Sequence, residues 1–158
     1  MSALQAPNKL QRSLMRLDEA PAFMRGFVQN IILRRAVPFT GTAGVQFVSL
    51  TPERVEVRLA NEHRVRNHIG SVHASAMNLL AETATGMAVG MNVRDDCLPL
   101  AKELSMAFKK RATGALKAVA TLTAEQRAAM QASDKGEVQV KVTVTDEAGV
   151  EPVECVFT

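Results

Sequence analysis

The stretch HASAMNLLAETATGMAVG, residues 73–90, decides the fold. It shows no alternation of apolar and polar residues, and it is rich in Ala, Leu and Met, which favour a helix. Apolar side chains occupy nearly every face of that helix, so we expect it to be buried rather than to lie on a surface. His73, Asn78 and Glu82 are then polar residues in a buried helix. Glu82 in particular needs a reason, because burying an unpaired carboxylate is costly.

Segments on both sides of this helix alternate apolar and polar residues, which is typical of strands with one buried face. Residues 45–50 and 54–59 alternate on either side of Thr51-Pro52 and predict a hairpin. Further along, Thr123 and Gln126 match a capping box and predict a short helix over residues 124–132. Four further strands are predicted over residues 98–110, 116–122, 138–144 and 150–157.

The first 36 residues are predicted to form a helical extension packed on the rest of the chain. Apolar residues recur at helical spacing over residues 8–35, with a break or kink at Pro21, and residues 38–44 predict a turn-rich connector. Arginines lie among these apolar positions, which is also typical of a basic helix on a membrane surface. We expect the simpler alternative, a surface helix packed on its own domain. The arginines are Arg12, Arg16, Arg25, Arg34 and Arg35.

The order of elements indicates an α+β domain. There is no alternation of strands and helices, which excludes a doubly wound parallel sheet. Six strands and one helix that is apolar all round predict a sheet wrapped around that helix, because nothing else can cover all its faces. Residues 1–158 then form a single domain, with residues 1–36 as its extension.

Composition excludes several classes of function. The chain is 47% apolar and 22% charged, as in a soluble globular domain, and it has no apolar run long enough to cross a membrane. Residues 1–10 lack the apolar core of a secretory signal, so we expect none. Phe is its only aromatic residue, which excludes a Tyr acid and argues against base stacking on nucleic acid. Cys97 and Cys155 form no CxxC motif, and the histidines lack metal-ligand spacing. We therefore expect a cytoplasmic protein with free thiols, no metal, no nucleic acid partner and no stable membrane insertion.

One constellation of residues carries chemistry: Asn67, Gly70, the triplet His73-Ala74-Ser75, Leu80-Ala81-Glu82, and Gly86. It resembles the hotdog-fold thioesterases, specifically the phenylacetyl-CoA thioesterase-like branch. That branch has Asn, Gly, then His-Gly-Gly at the start of the central helix, and Leu-Ala-Asp/Glu nine residues after the His. The resemblance covers roughly residues 37–158. The N-terminal helices and the helix after Thr123 are more similar to a bacterial hotdog subgroup without an assigned substrate.

The resemblance implies a hotdog fold, with an antiparallel six-stranded sheet around a long central helix, and an acyl-CoA thioesterase activity. Glu82 takes the position of the base or nucleophile, and burial should raise its pKa. The backbone N–H of Ala74 takes the position of the donor that polarises the thioester carbonyl. Asn67 would orient the carbonyl or the attacking water. Coenzyme A enters as part of the substrate, with no separate cofactor. The same motif implies substrate contacts from Gly70, His73 and Ser75.

The spacing of these residues requires two subunits. Ala74 and Glu82 are eight residues apart in one helix, which separates them by about 12 Å at 1.5 Å per residue. One thioester carbon cannot touch both of them, so Glu82 of one subunit must work with the helix tip of another. We therefore expect a homodimer. The resemblance implies that two sheets lie side by side, and that dimers often pair into tetramers.

Each of these residues also has a structural alternative. Glu82 could be a carboxylate paired across a dimer, His73 a helix-start residue bonded to backbone, and Asn67 a residue that shapes its loop. The basic run Lys109, Lys110 and Arg111 could bind the phosphates of coenzyme A or form a solvated strand edge. For the whole protein, Ala74 and Ser75 in place of Gly-Gly leave open a non-catalytic hotdog module that binds acyl-CoA or a lipid. A dehydratase is a third hypothesis, weakened because His73 and Glu82 lie about half a turn out of phase.

Overall fold

The computed structural model describes residues 6–17 and 19–158. Five α-helices occupy this part of the chain, with a 3₁₀ helix at His63–Val65: α1 Lys9–Leu17, α2 Ala22–Ala36, α3 Pro38–Ala43, α4 Ala74–Gly90 and α5 Ala124–Ala132. The strands are β1 Gln46–Leu50, β2 Arg54–Leu59, β3 Leu104–Phe108, β4 Leu116–Thr121, β5 Val140–Asp146 and β6 Val153–Phe157. None of the helices within these residues is long and apolar enough to cross a membrane.

The strands form one antiparallel sheet in the order β1-β2-β4-β5-β6-β3. This confirms the six-stranded sheet around a long helix, because α4 packs against the central strands β2, β4 and β5. Val57, Ala118 and Val144 pair in register across these strands and are inaccessible or nearly so. β1 and β3 are the two edges of the sheet.

Local signals account for where the helices begin and end. Pro21 separates α1 from α2, as expected from a residue that lacks a backbone N–H. The predicted capping box is present at α5: Thr123 accepts from Gln126 N, and the Gln126 side chain accepts from Thr123 N. The prediction of a connector over residues 38–44 is wrong. It forms the short helix α3, which starts on Pro38 and ends at Ala43. Gly44 caps it in a left-handed conformation with φ 81°.

The N-terminal helices pack on the domain through one side only. The side-chain amide of Asn8 donates to Gly90 O and Val93 O at 2.9 and 2.8 Å, which fixes the start of α1 to the end of α4. Asn30 of α2 exchanges two hydrogen bonds with the backbone of Phe47 in β1. The outer side of α2 carries Phe23 and Phe27, whose relative exposures are 87% and 68%.

Candidate active site

One stripe of α4 is open in the single chain. Ser75, Glu82 and Gly86 are exposed along it and Asn78 is half-buried, at spacings of three and four residues that keep them on one side of the helix. The predictions that the sheet covers every face of α4 and that Glu82 is buried are therefore wrong for the single chain. The sheet reaches only the faces that carry the buried residues Leu80, Ala81, Ala84 and Ala88.

Glu82 has a raised pKa although it is exposed. The surrounding protein removes water from the carboxylate, which disfavours its charged form and raises its pKa above the ordinary value of 4.5. The predicted direction of the shift is confirmed, but partial desolvation of an open site produces it rather than full burial. Gly86 leaves room beside the carboxylate, since a Cβ there would lie 3.6 Å from Glu82 Oε1. No ion pair among the described residues includes Glu82.

The start of α4 leaves one amide without a partner. Ser75 N donates to His73 Nδ1 at 3.0 Å, and Ala76 N and Met77 N both donate to His73 O. The backbone N–H of Ala74 has no acceptor among the residues that the structure describes. His73 therefore caps the helix, in agreement with the alternative that it is a structural residue at the helix start. The free donor at this exposed tip is the Ala74 N–H, which the motif assigns to the thioester carbonyl.

The loop before α4 is organised by Asn67. Its Oδ1 accepts from Ile69 N at 3.1 Å and Ser71 N at 3.0 Å, and its own N–H donates to Ser71 O at 2.8 Å. Gly70 closes the turn with φ 75°, a conformation that side chains rarely adopt. Asn67 thus shapes the loop, which is the structural alternative to a role in the reaction. Its Nδ2 group is the polar end of the side chain that this loop does not use.

The basic run follows the end of β3, and its three members differ. Lys109 pairs with Glu154 at 3.0 Å, and Arg111 Nη2 donates to Ile69 O at 2.6 Å in the loop before α4. Lys110 has no ion-pair partner within the described residues. Of the run, Lys110 is therefore the cation that is left for an outside anion.

Glu82 lies where two cavities meet. The first has a volume of about 540 Å³, the second about 720 Å³, and Glu82 lines both. Ala74 and Ser75 share the first cavity with Glu82, so the structure brings these three predicted residues together. Neither cavity is lined by Asn67, Gly70, His73, Lys109, Lys110 or Arg111.

Sequence reasoning missed several residues of the first cavity. Phe39 of α3 and Met106 and Phe108 of β3 complete it, with Asn78 and Leu79 of α4. The alternation in β3 predicts that Met106 and Phe108 share a face, but nothing local says that this face turns towards α4. Phe39 falls in the segment that was predicted to be a connector.

Comparison with known proteins agrees with this architecture. A family model described as "Domain of unknown function (DUF4442)" matches residues 27–158. A solved Pseudomonas aeruginosa protein of unknown function, named a probable thioesterase, is 25% identical with a TM-score of 0.75; the match covers 82% of this chain and 90% of that one. The comparison with curated proteins gives no match.

Two further solved structures share the fold at lower identity. The match to a thioesterase from Haemophilus influenzae has 14% identity and a TM-score of 0.62, over 75% of this chain and 78% of that one. The match to a mutant thioesterase from Staphylococcus aureus has 14% identity and a TM-score of 0.62, over 76% and 94%. These neighbours are hotdog-fold proteins, which confirms the predicted fold class and the thioesterase-like architecture.

Proposed function

This chain belongs to the family described as DUF4442, and from that premise we propose that it hydrolyses an acyl-CoA thioester at a site shared by two subunits. The observation that carries the proposal is the Glu82 carboxylate, which has a raised pKa and stands between two cavities on the open stripe of α4. A raised carboxylate pKa suits a general base that works near neutral pH. The free thiols Cys97 and Cys155 support a reducing compartment such as the cytoplasm.

The proposed reaction uses only groups that two copies of this chain supply. Glu82 removes a proton from water while the water oxygen attacks the thioester carbonyl, and the partner's Ala74 N–H stabilises the charge that develops on the carbonyl oxygen. The carbon–sulfur bond then breaks, and the coenzyme A sulfur leaves and takes up the proton. Direct attack by Glu82, which would form an acyl-enzyme that water then hydrolyses, is the other course open to the same residue.

The edge strand β3 supports assembly into a dimer. Glu103 and Thr158 exchange backbone hydrogen bonds at 3.3 and 3.0 Å, and Lys109 N donates to Pro152 O at 2.9 Å. Because hydrogen bonding alternates along an antiparallel strand, the even-numbered residues between them turn their backbone groups to the open edge. These residues are Leu104, Met106 and Phe108, and all three have side chains that are partly or largely exposed.

We expect a dimer at micromolar concentration, and a monomer for Met106→Pro. Proline removes the outward N–H of the edge strand while leaving the hydrogen bonds to β6 in place. Light scattering measures both species, and Met106→Ala, which keeps the N–H, should remain dimeric. A monomeric wild-type protein would remove the shared site from the proposal.

The basic run gives a second expectation, which concerns the phosphates of coenzyme A. Replacing Lys109, Lys110 and Arg111 together by Gln should raise KM and flatten its dependence on salt, because charge attraction to phosphate is screened by ions. Lys110→Gln alone should give most of the rise, since Lys109 and Arg111 already have partners. Lys141→Gln, on an exposed position of β5, is the matched control. An unchanged salt dependence would assign the run to a solvated edge.

A non-catalytic acyl-CoA-binding module is the second candidate. It is favoured by one observation: Ala74, which has a methyl group where the related motif has Gly, lines the first cavity. Hydrolysis and binding measured on one panel of acyl-CoA thioesters separate the candidates. Turnover supports the hydrolase, whereas binding without turnover selects the module.

A further inference from the structure

The second cavity runs from Glu82 towards the C-terminal end of α4. Its α4 wall passes Gly86 and reaches Val89, which lies about 10 Å from Glu82 at 1.5 Å per residue, and the lining continues beyond the end of the helix to Val93. The cavity is therefore long in one direction, with the proposed reaction centre at one end.

The other walls of this cavity are largely apolar. Helix α5 contributes Ala129 and Met130, and the sheet contributes Val140 and Phe157, which are both 96% buried by the fold. Helix α5, which lies between β4 and β5 in the chain, thus closes a side of the second cavity that the sheet and α4 leave open. Met130 is unbranched and flexible, and such side chains adapt to ligands of different shape.

The rim of the cavity carries apolar surface with no protein cover. Leu98 and Leu100, in the segment before β3, have relative exposures of 81% and 79%, and both face this cavity. Lys102 and Glu137, also at the rim, pair with each other. Asp134 and Lys135 also line the cavity and carry opposite charges, so neither sign of charge dominates this rim.

We propose that this cavity holds the acyl chain of the substrate, and that it takes a linear aliphatic chain of medium length. The proposal rests on the proposed function, because the thioester must lie at Glu82 for the chain to enter here. A volume of about 720 Å³ is within the usual range of ligand cavities, about 300–1,000 Å³. A compact aromatic acyl group would fill only the first turn beside Gly86 and would leave the region between Val89 and Val93 empty.

If the second cavity holds the acyl chain, a bulky side chain in its wall should set a maximum chain length. That maximum should be shorter when the substitution lies closer to Glu82. Against acetyl-, phenylacetyl-, hexanoyl-, decanoyl- and hexadecanoyl-CoA, the wild type should have its highest kcat/KM with decanoyl-CoA. Val93→Phe fills the far end and should lower kcat/KM only for the longer chains. Val89→Phe should lower it for decanoyl-CoA by at least about tenfold, the factor expected when about two methylene groups lose burial, and should extend the loss to hexanoyl-CoA.

Controls separate an effect on the second cavity from an effect on folding and from an effect on the reaction at Glu82. A thermal unfolding curve for Val89→Phe that matches the wild type shows that the variant is folded. Val48→Phe makes the same change on the outer side of β1 and should leave every substrate unaffected. Calorimetric titration with decanoyl-CoA and with free decanoate determines whether the chain alone is bound or needs the coenzyme.

Each outcome decides between the two proposals. Hydrolysis with a preference for phenylacetyl-CoA, or with no response to Val89→Phe, overturns the proposal that the second cavity holds the acyl chain. It does not affect the proposal that the protein is a hydrolase. If no substrate is hydrolysed but decanoyl-CoA binds and Val89→Phe abolishes that binding, the proposed hydrolase function is overturned. The second cavity then remains as a binding site. If the wild type neither hydrolyses nor binds decanoyl-CoA, both proposals are overturned.

Discussion

Glu82→Gln should lower the turnover of acyl-CoA thioesters by about 10²–10⁴-fold, the contribution of a positioned proton acceptor. Gln keeps the shape of the side chain beside Gly86 but cannot take a proton from water. In the wild type the rate should rise with pH as Glu82 ionises, with a midpoint above 4.5 because its pKa is raised. The variant should lack that step in its pH–rate profile.

The stability of Glu82→Gln should not fall with its turnover; near neutral pH it should be equal to that of the wild type or slightly higher. A raised pKa means that the folded state holds the Glu82 proton more tightly than the unfolded chain, so stability falls as pH rises through the raised pKa. Glu82→Gln removes this loss. Its melting temperature should equal that of the wild type well below pH 4.5 and should be equal or slightly higher near neutral pH.

A structural role for Glu82 would reverse both results. If the carboxylate were paired across the dimer, Glu82→Gln would lose melting temperature while activity per folded molecule persisted. Thermal unfolding and kinetics on the same preparation distinguish the two cases. Glu151→Gln, an exposed carboxylate that lines neither cavity, serves as the matched control and should change neither quantity.

Ala74→Pro should lower kcat by about 10²–10³-fold, the usual effect of losing one oxyanion donor. Ala74 is the first residue of α4, where proline is well tolerated, and the preceding His73 already has φ −65° and ψ 144°, which suits a residue before proline. The substitution therefore removes the unpartnered N–H without breaking the helix. Ala74→Gly keeps the N–H and should retain activity. Full activity of Ala74→Pro would exclude this amide from the reaction.

Mixing the two inactive variants tests whether the site is shared. In a dimer of one Glu82→Gln subunit and one Ala74→Pro subunit, a shared site places both defects in one of the two active sites. The other site then combines native Glu82 with a native Ala74 N–H, so activity returns. If each subunit carried its own complete site, every site would hold one defect and the mixture would stay inactive. Coexpression with two different purification tags isolates the mixed dimer.

Most secondary structure was predictable because its signals are local. The alternation around Thr51-Pro52 predicts the hairpin of β1 and β2, and the capping box at Thr123 and Gln126 predicts α5 within its observed bounds. The strand over 98–110 was predicted too long, since β3 starts only at Leu104. Apolar residues such as Leu98 and Leu100 continue the pattern of a strand but stay exposed outside the sheet.

The candidate site was predictable only in part. The motif alone points to Glu82 and Ala74, which line one cavity, and to Asn67, which the structure uses to shape a loop. Phe39 and Met130 had no such signal. They reach the two cavities because α3 and α5 pack beside α4, and that packing joins residues far apart in the sequence.

The sequence by itself determined the elements, their order and the motif, because periods of two and 3.6 and the caps are written in neighbouring residues. Only the tertiary structure decided which side of α4 stays open. Ala, Gly and Ser are small enough for either a buried or an exposed face, so the stripe from Ser75 to Gly86 looks like core in the sequence. Its exposure follows from a sheet that covers α4 on one side only, and it is this gap that turns Glu82 from a buried charge into a side chain facing two cavities.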